Sequence, residues 1–148
     1  ILYERCSADI KIAVICGSNE KLYGRLLKKY GSRIRIIQKT DRMADYMRAC
    51  DIYLTKPGGL SSTAAAVMGT VLVHLPAIPG CETKNAEFFH ENGMSLKVKG
   101  TKKDMVQILN LMEKPLRCNE MREQQRKVIP NHAASKICNL IIELTRST

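Results

Sequence analysis

Short apolar runs alternate with helical segments along most of this chain, and that alternation restricts the folds it can adopt. The runs cover residues 10–16, 33–37, 51–54, 71–75 and 94–98. Each is followed by a segment with apolar or small side chains at helical spacing. Strands that alternate with helices predict an α/β fold with a doubly wound parallel sheet. In such sheets ligands bind at the carboxyl ends of the strands.

Several helix ends are marked by residue type. Ser18 or Asn19 can cap the first helix. Thr101 and Asp104 resemble a capping arrangement at the start of another helix, and Pro115 ends that helix. Two more helices are expected, at residues 117–128 and 131–144, the second with an apolar face formed by Ala134, Ile137, Cys138 and Ile141.

The turn after the third run combines residues that suit anion binding. Pro57 fixes one backbone torsion, while Gly58 and Gly59 permit positive φ and close approach of the backbone. Hydroxyl side chains follow at residues 61–63, where the first turn of a helix would present N–H groups and its positive dipole end. Such a place suits a phosphate. The alternative interpretation is an ordinary loop capped by glycine and serine.

Because all strands are expected to be parallel, the turns after the first four should face one crevice. They contain Gly17, Ser18 and Asn19; Thr40 and Asp41; Pro57, Gly58, Gly59, Leu60 and Ser61; and residues 79–85. We find no catalytic constellation there: no Ser-His-Asp order, no Walker lysine and no clustered metal ligands. His74 is expected in the core, and His90 and His132 on helix surfaces. The pattern indicates a binding site whose chemistry is completed elsewhere.

The net charge of +10 does not by itself indicate nucleic-acid binding. The basic residues are spread along the chain, and the seven aromatic residues do not form an interleaved stacking pattern. A phosphate-bearing ligand, an anionic membrane surface or a solvated surface accounts for the charge equally well. We therefore expect no nucleic-acid partner.

The cysteine pattern and the start of the sequence bear on where in the cell the protein is found. Six cysteines are scattered without a Cys-x-x-Cys pair, which favours reduced thiols in a cytosolic protein. No apolar run approaches the roughly 20 residues that span a bilayer, and no secretory signal is visible. Since the sequence opens on Ile1 rather than methionine, we expect it to be part of a longer protein.

Four segments together resemble the C-terminal, Rossmann-like donor-binding domain of GT-B glycosyltransferases. They are residues 55–60, Gly69 at the end of the next helix, residues 79–86 and residues 16–22. Within that fold the sequence is most similar to diacylglycerol glucosyltransferases and monogalactosyldiacylglycerol synthases, and more distantly to the lipid-II-forming N-acetylglucosaminyltransferase. The resemblance runs from about residue 10 to residue 98 and implies that residues 1–148 form one UDP-sugar-binding domain.

The resemblance also implies roles for particular residues. Uracil would be held by backbone groups of residues 39–41, which include Thr40 and Asp41, with Met43 nearby. The diphosphate would lie over Gly58, Gly59, Leu60 and Ser61. Sugar hydroxyls would be met by the loop that contains Gly80, Cys81, Glu82 and Asn85. Glu82 and Asn85 could instead cap the helix that follows them.

The chain departs from the family pattern in three ways. Ala64 stands where the family has a glutamate that accepts hydrogen bonds from the ribose. Cys81 stands where glutamine is frequent, so a sugar contact is expected to be lost or altered. The first strand of the domain, with its glycine-rich loop, and the whole acceptor-binding domain are expected to precede Ile1 in the full-length protein.

From the resemblance we expect the full-length protein to be an inverting hexosyltransferase. It would act at the cytoplasmic face of a membrane on a lipid acceptor such as diacylglycerol, which the missing N-terminal domain would bind, without metal or cofactor. The 148 residues alone are expected to bind nucleotide weakly and to transfer no sugar. Two alternatives stay open: a diverged, non-catalytic nucleotide-binding module, and an enzyme like UDP-N-acetylglucosamine 2-epimerase.

Overall fold

A computed structural model describes residues 10–146, which form five strands and seven helices. The strands are β1 (Ala13–Ile15), β2 (Arg35–Ile37), β3 (Ile52–Thr55), β4 (Val71–His74) and β5 (Ser95–Lys97). The helices are α1 (Glu20–Tyr30), α2 (Met43–Ala49), α3 (Gly59–Val67), α4 (Cys81–Glu91), α5 (Lys102–Met112), α6 (Pro115–Val128) and α7 (Ala133–Arg146). Ile1, with which the sequence opens, and Cys6 lie outside the described residues.

Every strand pairing is parallel, as predicted, and the strands form two sheets. β1 pairs with β2, with Val14 opposite Ile36. β4 is the middle strand of the order β3-β4-β5, with Thr55 opposite His74 and His74 opposite Lys97. Because β3 and β4 run in the same direction, the turns that follow them lie at the same edge of this sheet.

β4 is buried on both faces, and its alternating side chains define two core clusters. Val71 and Val73 pack with residues of α5 and α6, including Ile108 and Met121. Leu72, on the opposite face, packs with residues of α2, α3 and α4. Helices therefore cover both faces of the three-stranded sheet, which confirms the doubly wound α/β architecture.

Local signals set the helix boundaries. Asn19 is the N-cap of α1, and its side chain accepts a hydrogen bond from Leu22 N at 2.9 Å. Thr101 and Asp104 form a capping box at the start of α5. Pro115 occupies the first turn of α6, where its missing N–H has no structural cost. These ends confirm the predictions from residue type.

Two segments are more exposed than their apolar residues suggest. The apolar, β-branched composition of residues 10–16 predicts a largely buried strand, but β1 is exposed at Ala13 and only half-buried at Val14 and Ile15. Among the described residues it has a strand neighbour on one side only. All residues of α7 are exposed, including Ile137 and Ile141, since no other element described between residues 10 and 146 covers its apolar face.

None of the helices formed by residues 10–146 combines the length and apolar character that a membrane span requires.

The packing of β4 gives a direct test of the core. Replacing Leu72, which has no exposed surface, by alanine should lower the free energy of unfolding by about 2–5 kcal/mol, because a cavity replaces close contacts. Leu116 is 79% exposed, so Leu116→Ala should change that free energy by no more than about 0.5 kcal/mol. Urea denaturation of both variants measures the difference. Equal losses would contradict the placement of Leu72.

Candidate functional site

The third turn joins β3 to α3 and leaves the start of that helix uncapped. Pro57 is buried, and Gly58 is the N-cap residue, so no side chain bonds the first N–H groups. Those N–H groups have no acceptor within the helix, and they lie at its positive dipole end. Gly59 is exposed, and Leu60 is 92% exposed. This surface can accept an anion without displacing another residue.

Gly58 and Gly59 do not have the positive φ that their residue type permits. Gly58 has φ −73° and ψ 139°, and Gly59 is the first residue of α3. A Cβ on Gly58 would meet no atom within 4 Å, and one on Gly59 would lie 3.7 Å from Asn85 Nδ2. The two glycines therefore keep the space above the turn clear instead of relieving a strained backbone.

The fourth turn ends at Gly80, whose conformation does require glycine. Gly80 is the N-cap of α4 with φ 115° and ψ −132°, a region that side chains with a Cβ avoid. Cys81, Glu82 and Asn85 were expected in a loop, but they lie in the first turns of α4. Cys81 is exposed. The helix begins early because Gly80 turns the chain sharply enough to start it there.

Two contacts join the third turn to α4. Asn85 Nδ2 donates a hydrogen bond to Pro57 O at 3.1 Å. Lys56 Nζ lies 2.7 Å from Glu82 Oε1, and the backbone N–H of Ile78 donates to Glu82 Oε2 at 3.0 Å. Glu82 and Asn85 do not have the alternative role of helix caps, since no side chain caps α4. Instead they connect the third turn with the fourth turn and the start of α4.

The environment of Glu82 favours its charged form. The hydrogen bond from Lys56, followed by that from the Ile78 N–H, lowers the pKa of the Glu82 carboxyl. The group is therefore ionised at neutral pH and acts as a hydrogen-bond acceptor only.

The first and second turns lie beside each other at the ends of β1 and β2. Gly17 has φ 64°, and Ser18 is exposed. The side-chain oxygen of Asn19 is occupied in capping α1. Gln38 Nε2 donates to Glu20 Oε1 at 3.4 Å, which connects the two turns.

The second turn continues into α2 and approaches α3 through the core. Thr40 Oγ1 accepts a hydrogen bond from Arg42 N at 3.0 Å, and Asp41 is exposed. Met43, at the start of α2, and Ala64, on α3, are both half-buried and pack against the same core cluster. Contacts thus join the first turn to the second and the third turn to α4, and Met43 and Ala64 share one core cluster.

His74 lies behind the site as a buried core residue, as predicted. Its Nε2 hydrogen-bonds Ser62 Oγ at 2.9 Å, and its Nδ1 hydrogen-bonds Ser95 Oγ at 3.2 Å. The ring of Phe89 contacts it edge-on, with centroids 5.4 Å apart. Desolvation by burial lowers the pKa of His74 from 6.5 to about 4, so the imidazole is neutral at pH 7.

Two features of the site escaped the sequence analysis. Lys56 was part of the motif but received no role, although its position directly before Pro57 and its opposite charge to Glu82 were visible. The bonds of Ser62 and Ser95 to His74 join residues 12 and 21 positions apart, and no local pattern marks them.

Residues 10–146 contain no group of three or more histidine, cysteine, aspartate or glutamate side chains placed to hold a metal ion.

Curated relatives match nearly the whole chain. Processive diacylglycerol β-glucosyltransferase of Bacillus licheniformis is 27% identical over 138 residues, which are 91% of this chain and 36% of that protein. The protein of the same name from Staphylococcus carnosus is 26% identical over 141 residues, 93% of this chain and 36% of its own length. The chain thus spans about a third of these relatives. No protein-family model matches the sequence.

Solved structures share the fold. MurG of Acinetobacter baumannii superposes with a TM-score of 0.70 at 18% identity, over 91% of this chain and 42% of its own. The spinosyn forosaminyltransferase SpnP superposes with a TM-score of 0.59 at 14% identity, over 89% of this chain and 44% of its own. With the curated relatives, these matches confirm the resemblance to diacylglycerol glucosyltransferases and to Rossmann-like glycosyltransferase domains.

The lowered pKa of His74 predicts a pH dependence of stability. Between pH 6.5 and about 4 the unfolded chain binds a proton at this residue that the folded chain does not, so stability falls as pH falls. The slope from this residue approaches at most about 1.4 kcal/mol per pH unit, and it falls towards zero as pH rises from 7 to 8. Urea denaturation from pH 4.5 to 8 measures it.

His74→Gln is the control for that measurement, because glutamine keeps polar atoms in the cavity and does not titrate. The variant should be less stable than the original at pH 8, and the difference should narrow as pH falls, because the variant lacks the extra slope below pH 6.5. An unchanged slope would assign the pH dependence to other groups.

Proposed function

We propose that this chain is the UDP-sugar-binding part of an inverting glycosyltransferase that transfers a hexose to a membrane lipid such as diacylglycerol. The observation that carries the proposal is the junction of the third turn with α4. There the uncapped start of α3 lies beside a fixed carboxylate, Glu82, and a fixed amide, Asn85. An anion site next to hydroxyl-binding groups suits a sugar diphosphate.

The named activity of the relatives supports the same assignment. Their matched region is about a third of their length, so acceptor binding and the catalytic base are assigned to the rest of the full-length protein. Residues 1–148 would then be the sugar-nucleotide-binding domain, without a catalytic residue of their own. Contacts with anionic lipid would hold the full-length protein at the cytoplasmic face of the membrane, helped by the net charge of +10.

Each part of the donor has a proposed position in this chain. The uracil lies against the backbone of residues 39–41, near Met43, and the ribose lies near Ala64. The diphosphate lies over the start of α3. The sugar lies against the start of α4. The residues concerned are Gly17, Ser18, Asn19, Thr40, Asp41, Met43, Pro57, Gly58, Gly59, Leu60, Ser61, Ala64, Gly80, Cys81, Glu82 and Asn85.

The proposed reaction is a displacement at the anomeric carbon. The lipid hydroxyl forms a bond to that carbon as the bond to the diphosphate oxygen breaks, and UDP leaves. The proton of the hydroxyl passes to the base in the rest of the protein. The role of this chain is to stabilise the charge that develops on the diphosphate, through the N–H groups and dipole of α3.

UDP binding tests the donor site. Isothermal titration should show UDP binding in preference to ADP and GDP. Ala64→Glu should tighten UDP by about tenfold or more, because a charged hydrogen bond to a ribose hydroxyl is worth about 1.5–3 kcal/mol. Ala64 is only half-buried, so part of its surface is open to solvent.

Ala134→Glu is the matched control, since it adds the same charge on the exposed helix α7. It should leave UDP affinity unchanged within about twofold. Failure of both the original chain and Ala64→Glu to distinguish UDP from ADP would contradict the donor site and favour a diverged module.

Sugar transfer is tested on the full-length protein. With UDP-glucose and vesicles that contain diacylglycerol, it should release UDP and form a glycolipid, both of which mass spectrometry detects. Residues 1–148 alone should form no glycolipid under the same conditions. A full-length protein that binds UDP-glucose but only epimerises the sugar would contradict the transferase assignment.

A further inference from the structure

The ion pair between Lys56 and Glu82 differs from the other ion pairs that the structure describes. Arg42–Asp45 and Arg117–Glu120 each join residues three positions apart, and both partners are at least half exposed. Such surface pairs contribute little to stability. Lys56 and Glu82 are 26 positions apart, on different turns, and the Glu82 side chain is only 12% exposed. Together with the hydrogen bond from Asn85 to Pro57, this pair joins the third turn to α4.

The two ends of this pair are held very differently. Glu82 is fixed at a second point, because its Oε2 accepts a hydrogen bond from the Ile78 N–H. The Lys56 side chain is 61% exposed, and the one contact that the structure describes for its ammonium is with Glu82 Oε1. If the ammonium turned towards another anion, the carboxylate would keep its position, and Oε1 would become available as an acceptor.

A diphosphate over the start of α3 would be such an anion. Lys56 precedes Pro57 directly, and its carbonyl accepts a hydrogen bond from Gly58 N at 2.8 Å, so its backbone is part of the same turn. The turn carries no other cation between residues 55 and 61. The Lys56 ammonium would then have a choice of two anionic partners, the Glu82 carboxylate that it contacts in this structure and a bound diphosphate.

We propose that Lys56 is a positioning residue that couples diphosphate binding to sugar recognition, by exchanging its bond to Glu82 for one to the diphosphate. The released Glu82 Oε1 then accepts a hydrogen bond from a sugar hydroxyl. This inference rests on the donor site proposed above. It predicts that Glu82 opposes the binding of UDP, since it competes for Lys56, and favours the binding of UDP-glucose, whose sugar it contacts.

A double-mutant cycle on the full-length protein tests the exchange, with UDP and UDP-glucose titrated at low ionic strength because salt screens exposed charges. Lys56→Gln should weaken UDP about tenfold, and Lys56→Arg should restore affinity to within about threefold. Glu82→Gln should tighten UDP about threefold to fivefold but weaken UDP-glucose relative to UDP. In the Lys56→Gln/Glu82→Gln variant the tightening should disappear, because no ammonium remains to be released.

Arg117→Gln and Glu120→Gln are the matched controls, since they remove the same charges from an ion pair on α6. Both should leave UDP affinity within about twofold of the original, and thermal unfolding checks that every variant is folded.

Three results would decide against the exchange. If Glu82→Gln weakens UDP as much as Lys56→Gln, the pair is only a structural tether. If the effects of the two substitutions on UDP are additive, no competition exists. In either case selective UDP binding by the original protein would leave the proposed function intact. If the original protein does not prefer UDP to ADP, the donor site fails and the exchange fails with it.

Discussion

The parallel pairing of β3 with β4 is the constraint on which the rest of the site depends. With Thr55 opposite His74, both strands end at the same level, and the chain leaves both at the same edge of the sheet. The complete burial of residues 71–74 fixes that register, because a shift by one residue would turn Val71 and Val73 towards the opposite helices. The bonds from Asn85 to Pro57 and from Lys56 to Glu82 are possible only because these ends are adjacent.

His74 connects this pairing to the orientation of α3. It is the last residue of β4, and its imidazole bonds Ser62 in α3 on one side and Ser95 in β5 on the other. A neutral imidazole has one donor and one acceptor nitrogen, and a serine hydroxyl can serve either. All three polar side chains are thus satisfied within the core. The hydrogen bond from Ser62 to His74 thus attaches the first turn of α3, and with it the N–H groups at its start, to the sheet.

The sequence allowed the fold to be predicted well where local chemistry decides it. The period of the apolar runs, the caps at Asn19 and Thr101 and the position of Pro115 depend on neighbouring residues, and the structure confirms them. The burial of β1 and of α7 was not predictable, because it depends on which elements pack against them. At the candidate site, the turns and their residues were predicted, but the start of α4 at Cys81 and the role of Lys56 depend on contacts between distant segments.

Ala64 and Cys81 depart from the family pattern, yet both are compatible with the proposed donor site. The features that would hold a diphosphate are backbone N–H groups and a helix dipole, which follow from the positions of Gly58 and α3 and not from side chains at residues 64 or 81. Ala64 sits five residues into α3, and Cys81 is exposed at the start of α4, so neither supports the turn itself. In the proposed donor site, substitutions there would change contacts to the ribose or the sugar while the anion site stays in place. Affinity and sugar preference could then diverge without loss of the proposed diphosphate site.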